Sequence, residues 1–132
     1  MGFFQRDESD VAEAAVDFYS LGHVIFGQVT FWICYMLFAY WVPDVVYPVK
    51  TWSLVITIVV GIAWEPIENL LLWKLGLKFE NKQDSWLNIV FDVIFVVVGG
   101  ILAWVITIWW VNLILFIAEL VVFLILRYVV FG

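Results

Sequence analysis

The sequence predicts an all-α integral membrane protein, a four-helix bundle with a short amphipathic N-terminal segment, and three observations carry that expectation. Of 132 residues, 66% are hydrophobic and 14% charged, far from the balance of a water-soluble domain. The apolar residues gather in blocks long enough to cross hydrocarbon, which takes roughly twenty residues per helix. Nine Trp, five Tyr and twelve Phe suit helix ends that anchor at lipid interfaces, where amphipathic rings are favoured. The length fits one transmembrane domain over residues 1–132.

The opening segment, residues 1–19, reads "MGFFQRDESDVAEAAVDFY". It is acidic and amphipathic instead of a basic stretch followed by an apolar core, so no secretory signal is expected and the first membrane helix should direct insertion. Asp7, Glu8, Ser9 and Asp10 suit a helix start, with Val11, Ala15, Phe18 and Tyr19 as its apolar side and Phe3 and Phe4 as an interfacial anchor. Its five acids disfavour attraction to an anionic leaflet. A solvated helix leading into the membrane is the expectation.

The first membrane helix is predicted at about 20–42 and ends at "PDVVYP", where prolines and an aspartate break it. Cys34 lies inside it, in "FWICYMLF", as the one cysteine of the chain. No internal disulfide can form, and an inert thiol is expected. The second helix is predicted at about 51–73. The third block, 86–131, would measure about 70 Å as one helix, more than twice the hydrocarbon thickness, so it must turn once. We place the turn at "WWVN", Trp109 to Asn112, where interfacial tryptophans meet a polar side chain. That gives helices at about 86–108 and 112–131.

Orientation follows from the basic residues. Arg6, Lys74, Lys78, Lys82 and Arg127 fall on one side of a four-crossing chain and Lys50 on the other. The excess places both termini in the cytoplasm of a multi-pass cell-membrane protein. The net charge of −6 does not oppose this, because acids contribute little to the rule. The lipid bilayer is the expected partner, and nucleic acid is not.

Under this topology the polar residues within the helices come to similar depth. Glu65 lies about 12 Å inside its helix end and Asp92 about 9 Å inside its own, at the helical rise per residue. His23 and Gln28 occupy the first two turns of the first helix. Glu65, Glu68 and Asn69 share one face at i, i+3 and i+4; Asp84, Asn88 and Asp92 share a stripe at i, i+4 and i+8. His23 and Gly27 stand at i and i+4, and the glycine permits another helix to approach closely there. Ionisable groups facing lipid cost a few kcal/mol each, so these residues should point inward and meet. We expect one cluster, with His23, Glu65, Glu68 and Asp92 as ligand or cation candidates and Gln28, Asn69, Asp84 and Asn88 as supporting polar groups. Glu119 extends it or stands apart.

Three chemistries suit such a cluster. Imidazole with carboxylates is a ligand set for zinc, manganese or iron, which makes a divalent metal the candidate cofactor and His23, Glu65 and Asp92 its candidate ligands. Crowded carboxylates also form a protonatable acid and base pair. The third chemistry is recognition of a polar head group or small cation arriving from the cytoplasm. Against these stands a structural role. Buried amides and acids fix helix register through hydrogen bonds worth about 0.6 kcal/mol on average, and Gln28, Asn69 and Asn88 fit that role. Glu68 and Asp84 lie close enough to the interface to be solvated or paired with Lys74, Lys78 or Lys82. Pro66 frees a carbonyl one turn earlier and kinks its helix. "VVGG" reads as a packing notch. Catalytic triads and phosphate-cradling glycine loops are absent from the sequence.

"LGHVIFG", "WEPIEN" and "DSWLNIVFDVIFVVVGG" together resemble the pattern of small VanZ-like and YjdF-like membrane proteins over about residues 21–100. Those families pair an early helix carrying His then Gly, a helix with Trp-Glu-x-x-Glu, and an Asp-rich helix start that ends in small residues. The resemblance implies that His23, Glu65, Glu68, Asp84, Asn88 and Asp92 occupy recurrent positions. This chain departs in having Asn88 where an acid is frequent and in glycines about one turn late. Some members are linked to glycopeptide tolerance, so the resemblance implies a site without a reaction.

A second class of function is an accessory subunit of a larger membrane complex, of respiratory or membrane monooxygenase type. The last helix, "LILFIAELVVFLILRYVVFG", is apolar on nearly every face and would then pack against other membrane subunits, with the polar cluster as a lock between helices.

Overall fold

The structure is a computed structural model and describes residues 3–4, 16–41, 48–77, 83–106 and 108–130. The helix expected from Asp7 to Asp10 lies outside them, as do Arg6, Lys78 and Lys82. Four helices follow in order, each long and apolar enough to cross a membrane. Length and composition thus suggest a multi-pass membrane protein.

Helix α1 spans Phe18–Trp41. Its start is a reciprocal cap: the Ser20 N–H donates to the Asp17 carbonyl and the Asp17 N–H donates to Ser20 Oγ, both at 3.0 Å, which satisfies donors the first turn leaves free. Val16 N–H donates to the Phe3 carbonyl at 2.8 Å, and the Phe3 ring meets Phe91 edge-on at 5.2 Å. The expected anchor is therefore divided: Phe3 rests on α3, while Phe4 is 64% exposed.

Helix α2 spans Val49–Pro66 and continues as a π-helical segment, Ile67–Leu72. Pro66 has no N–H to give the preceding turn, and the wider hydrogen-bond register begins directly after it. The end is a Schellman motif. Leu77 N–H reaches the Leu72 carbonyl at 2.9 Å and Gly76 N–H the Trp73 carbonyl at 3.1 Å, with Gly76 at φ 70°. Only glycine adopts that backbone without strain. Gly76→Ala should cost about 1 kcal/mol, which thermal unfolding in detergent would register as a lowered midpoint.

Helix α3 spans Trp86–Val105, capped by Ser85, whose side chain accepts from the Asn88 N–H at 3.1 Å. Helix α4 spans Trp109–Ile125 and continues through the π-helical Leu126–Val130. The third block does turn once, but at 106–108 and not within "WWVN". Ile106 and Ile108 take extended backbone, which β-branched side chains favour. Asn112 supplies what the turn lacks in Gly or Pro: its Nδ2 donates to the Ile106 carbonyl at 2.6 Å. Trp109, placed in the turn by sequence, opens the helix instead.

Neighbours at the helix ends give the up-and-down topology. Tyr19 and Phe123 rings lie 6.0 Å apart, and Asn88 bonds Asp17, so the starts of α1 and α3 and the end of α4 share one end. At the other, Lys50 Nζ donates to the Trp104 carbonyl at 3.4 Å, a cation at a helix C-terminus. The arrangement is not an even bundle. Helices α1, α2 and α3 pack mutually, with α1 and α3 most intimate, whereas α4 makes its main helix contact with α1.

The α1–α3 contact rests on glycines. A Cβ on Gly27 would collide with the Val96 carbonyl oxygen, and one on Gly99 with the Val24 carbonyl oxygen. The "VVGG" notch and the glycine after His23 thus receive each other's backbone, as small residues do between membrane helices. Polarity is inverted relative to a soluble fold. Buried on α2 are Ser53, Thr57, Gly61, Glu65 and Asn69, an i, i+4 stripe, while Val55, Val59, Ile62 and Leu70 face outward. Thr57 and Ser53 donate their hydroxyls to carbonyls one turn earlier at 2.7 and 2.8 Å, so these buried groups are satisfied within the helix.

Candidate functional site

At the end shared by the starts of α1 and α3, four side chains from three helices converge. His23 on α1, Glu65 and Glu68 on α2 with its π-helical end, and Asp92 on α3 each offer one ligand atom, and these atoms lie within 4.8 Å of one another. His23 Nε2 stands 3.5 Å from Asp92 Oδ2 and 4.0 Å from both Glu65 Oε1 and Glu68 Oε2.

Each position has a local cause. His23 Nδ1 lies 2.8 Å from the Tyr19 carbonyl one turn earlier. A carbonyl only accepts, so Nδ1 carries the proton and, in the neutral ring, Nε2 keeps its lone pair toward the carboxylates. Metal-bound histidines are oriented in this way by a second hydrogen bond. Asp92 is carried one turn below Val96, where α3 meets Gly27, and is only 2% exposed. Glu65 ends the regular part of the buried α2 stripe. Glu68 follows Pro66 within the π-helical segment, whose wider turn changes the phase of the residues beyond it. Sequence allowed it to be solvated or paired with lysine; its side chain is 20% exposed and faces His23.

The supporting residues divide. Asn69 Nδ2 donates to the Glu65 carbonyl at 3.1 Å, to Glu65 Oε2 at 3.2 Å and to Asp84 Oδ2 at 3.1 Å, while its Oδ1 accepts from the Asp84 N–H at 2.8 Å. It therefore locks Glu65 to the segment before α3. Asp84 is held by this amide; Lys78 and Lys82, considered from sequence as its partners, lie outside the described residues. Asn88 Nδ2 donates to Asp17 Oδ2 at 3.2 Å. Asp17 is the residue sequence reasoning missed: 7% exposed, it is buried where a solvated helix was expected. The signal was present as an Asp immediately before an apolar run, an N-cap position. Gln28 stands outside the group of four, buried against a different cleft. Glu119, too, stands apart from it.

A cleft of about 340 Å³ reaches the group. It is lined by His23 and Glu68 together with Tyr19, Gly22, Phe26 and Trp64 among others. One side of the site is thus accessible to a molecule with an apolar body and a polar end. Three carboxylates and a neutral imidazole at this spacing crowd like charge into a low-dielectric setting, which favours a proton or a cation among them.

Comparison with known proteins found one family model, described as a protein of unknown function (DUF2585), which matches residues 4–130. No curated protein and no solved structure matches the chain.

Proposed function

This chain belongs to the DUF2585 family of proteins of unknown function, and we propose that its activity centres on a divalent metal cation held within the membrane by His23, Glu65, Glu68 and Asp92. The observation that carries the reading is the convergence of one imidazole nitrogen and three carboxylate oxygens within 4.8 Å, with the imidazole fixed by the Tyr19 carbonyl. Nitrogen and hard oxygen donors in this ratio suit manganese, iron or zinc. The excess of basic residues beside the shared helix ends supports placing this site in the cytoplasmic half of a cell-membrane protein. On this reading the VanZ-like and YjdF-like pattern of His23, Glu65, Glu68 and Asp92 is a ligand set, with Asp84 and Asn88 bracing it.

A divalent cation leaves the site with one residual negative charge if all three carboxylates are ionised. The cleft along Tyr19, Phe26 and Trp64 therefore suits an amphiphile whose head group is neutral or cationic better than a phosphate monoester.

The test is metal content after extraction in mild detergent, followed by titration of chelator-stripped protein with Mn²⁺ and Zn²⁺. One equivalent per chain is expected, with binding that weakens on acidification because protons compete for the same atoms. His23→Ala should lower the affinity by more than the 10–100-fold that loss of an outer-shell partner costs. If stripped protein binds neither ion and instead comigrates with larger partners, the cluster is a lock between helices in an accessory subunit.

A further inference from the structure

The cleft between α1 and α4 carries a second, separate anomaly. Gln28 is 2% exposed, and neither its Nε2 nor its Oε1 has a hydrogen-bond partner among the described residues. Trp32 Nε1 and Asn112 Oδ1 are buried and unpartnered in the same sense. All three residues line one cleft of about 420 Å³, otherwise walled by apolar side chains that include Trp109, Phe116 and Met36.

A buried polar group left without a partner is costly in protein, and the hydrocarbon core offers no water to relieve it. Four such atoms, on three residues that line one cleft, call for a ligand that engages them. The donors are Gln28 Nε2 and Trp32 Nε1; the acceptors are Gln28 Oε1 and Asn112 Oδ1. Asn112 cannot present its nitrogen instead, because Nδ2 is engaged by the Ile106 carbonyl. Among the described residues no charged side chain lines the cleft, so an ionised head group finds no counter-charge among them. A hydroxyl donates one hydrogen bond and accepts two, so it can engage both donors and one of the two acceptors. The volume is that of a small-molecule site. Val29, Ile33 and Leu113 on its rim are exposed, and the helix forming one wall leans mainly on α1, so entry is lateral from the bilayer.

We infer that the α1–α4 cleft is a binding site for a neutral hydroxyl-bearing amphiphile, its hydroxyl held by Gln28, Trp32 and Asn112 and its tail in the bilayer. None of these residues belongs to the metal group, so the inference stands whether or not a metal binds. The hydroxyl could come from a hydroquinone ring, stacked near Trp109 and Phe116, or from a fatty alcohol.

The experiment is native mass spectrometry and thermal shift on the full chain in detergent, with three probes: a decyl-substituted benzohydroquinone, 1-dodecanol and dodecyl phosphate. One hydroxyl probe per chain should bind and raise the melting midpoint. Gln28→Leu should weaken it about tenfold or more without lowering the midpoint of ligand-free protein, because an apolar side chain replaces an unsatisfied one. Trp32→Phe keeps a ring, removes one donor and should weaken binding to a smaller extent. Tighter binding of the hydroquinone identifies a ring head group; tighter binding of dodecanol identifies an aliphatic alcohol. Equal binding of dodecyl phosphate, or affinity for the hydroxyl probes unchanged by Gln28→Leu, would overturn the proposal by showing a site for tails alone. Binding of none of the probes, with Gln28→Leu altering oligomeric state, would overturn it in favour of a helix interface.

Discussion

Asp92→Asn is expected to abolish cation retention and, in the stripped protein, to raise stability. The two effects share one cause. Asp92 is 2% exposed and lies 3.5 Å from His23 Nε2, within 4.8 Å of the ligand atoms of Glu65 and Glu68. On the proposed reading it completes a ligand set as an anion; with no cation present it either adds like charge to a crowded site removed from water or takes up a proton there, and both cost stability. Asparagine keeps the shape, removes the charge and retains one weaker oxygen donor. Loss of this inner ligand should weaken Mn²⁺ or Zn²⁺ by more than about 100-fold, beyond the range of outer-shell substitutions. Removing the ionisable group should stabilise the metal-free protein by about 2–3 kcal/mol. Titration calorimetry and thermal unfolding in detergent, each with and without the ion, read both quantities. A structural lock predicts the reverse sign: the stripped variant would melt earlier, because a partner for His23 had been weakened. Such a result would sink the metal reading.

Gly99→Val should separate α1 from α3 and dismantle the site without touching any ligand. The added Cβ would overlap the Val24 carbonyl oxygen and stand 3.0 Å from the Gln28 nitrogen. Those neighbours are backbone atoms of a helix and cannot swing aside. Overpacking in a well-filled core costs about 1–3 kcal/mol and sometimes more, and a clash with backbone belongs at the upper end. His23 lies one turn before Gly27 on α1, and Asp92 lies one turn before Val96 on α3, so the same displacement pulls ligand atoms apart. The variant should therefore lose both several kcal/mol of stability and cation binding. Gly22→Ala is the control, since its Cβ would lie 3.5 Å from the Phe123 ring, an ordinary contact. Equal melting midpoints for Gly99→Val and Gly22→Ala would contradict the tight crossing.

Much of this was legible before any coordinates. The i, i+3 and i, i+4 spacings put Glu65 with Glu68 and Asn88 with Asp92, and the cost of charge in lipid required those faces to meet. His23 followed by Gly27 marked where another helix comes close. Other features were not legible. Gln28 shares the polarity of the cluster residues, yet it lies five residues beyond His23, on another side of α1, and faces α4. Asp17 looked like one of several solvated acids until Asn88 came within 3.2 Å of it.

The sequence by itself determined that the chain forms four membrane-length apolar helices, that their polar residues lie in stripes, and that acids and a histidine reach one depth. These properties depend on composition and on the helical repeat, which neighbouring residues specify. Tertiary structure alone decided which members of the expected cluster come within 4.8 Å of one another, that α4 stands to the side, and that Gln28 faces a separate cleft. Which stripe meets which depends on backbone approach at Gly27 and Gly99 and on the local change of helical phase after Pro66. Both are set by contacts between residues far apart in the chain, and a periodic pattern does not record them.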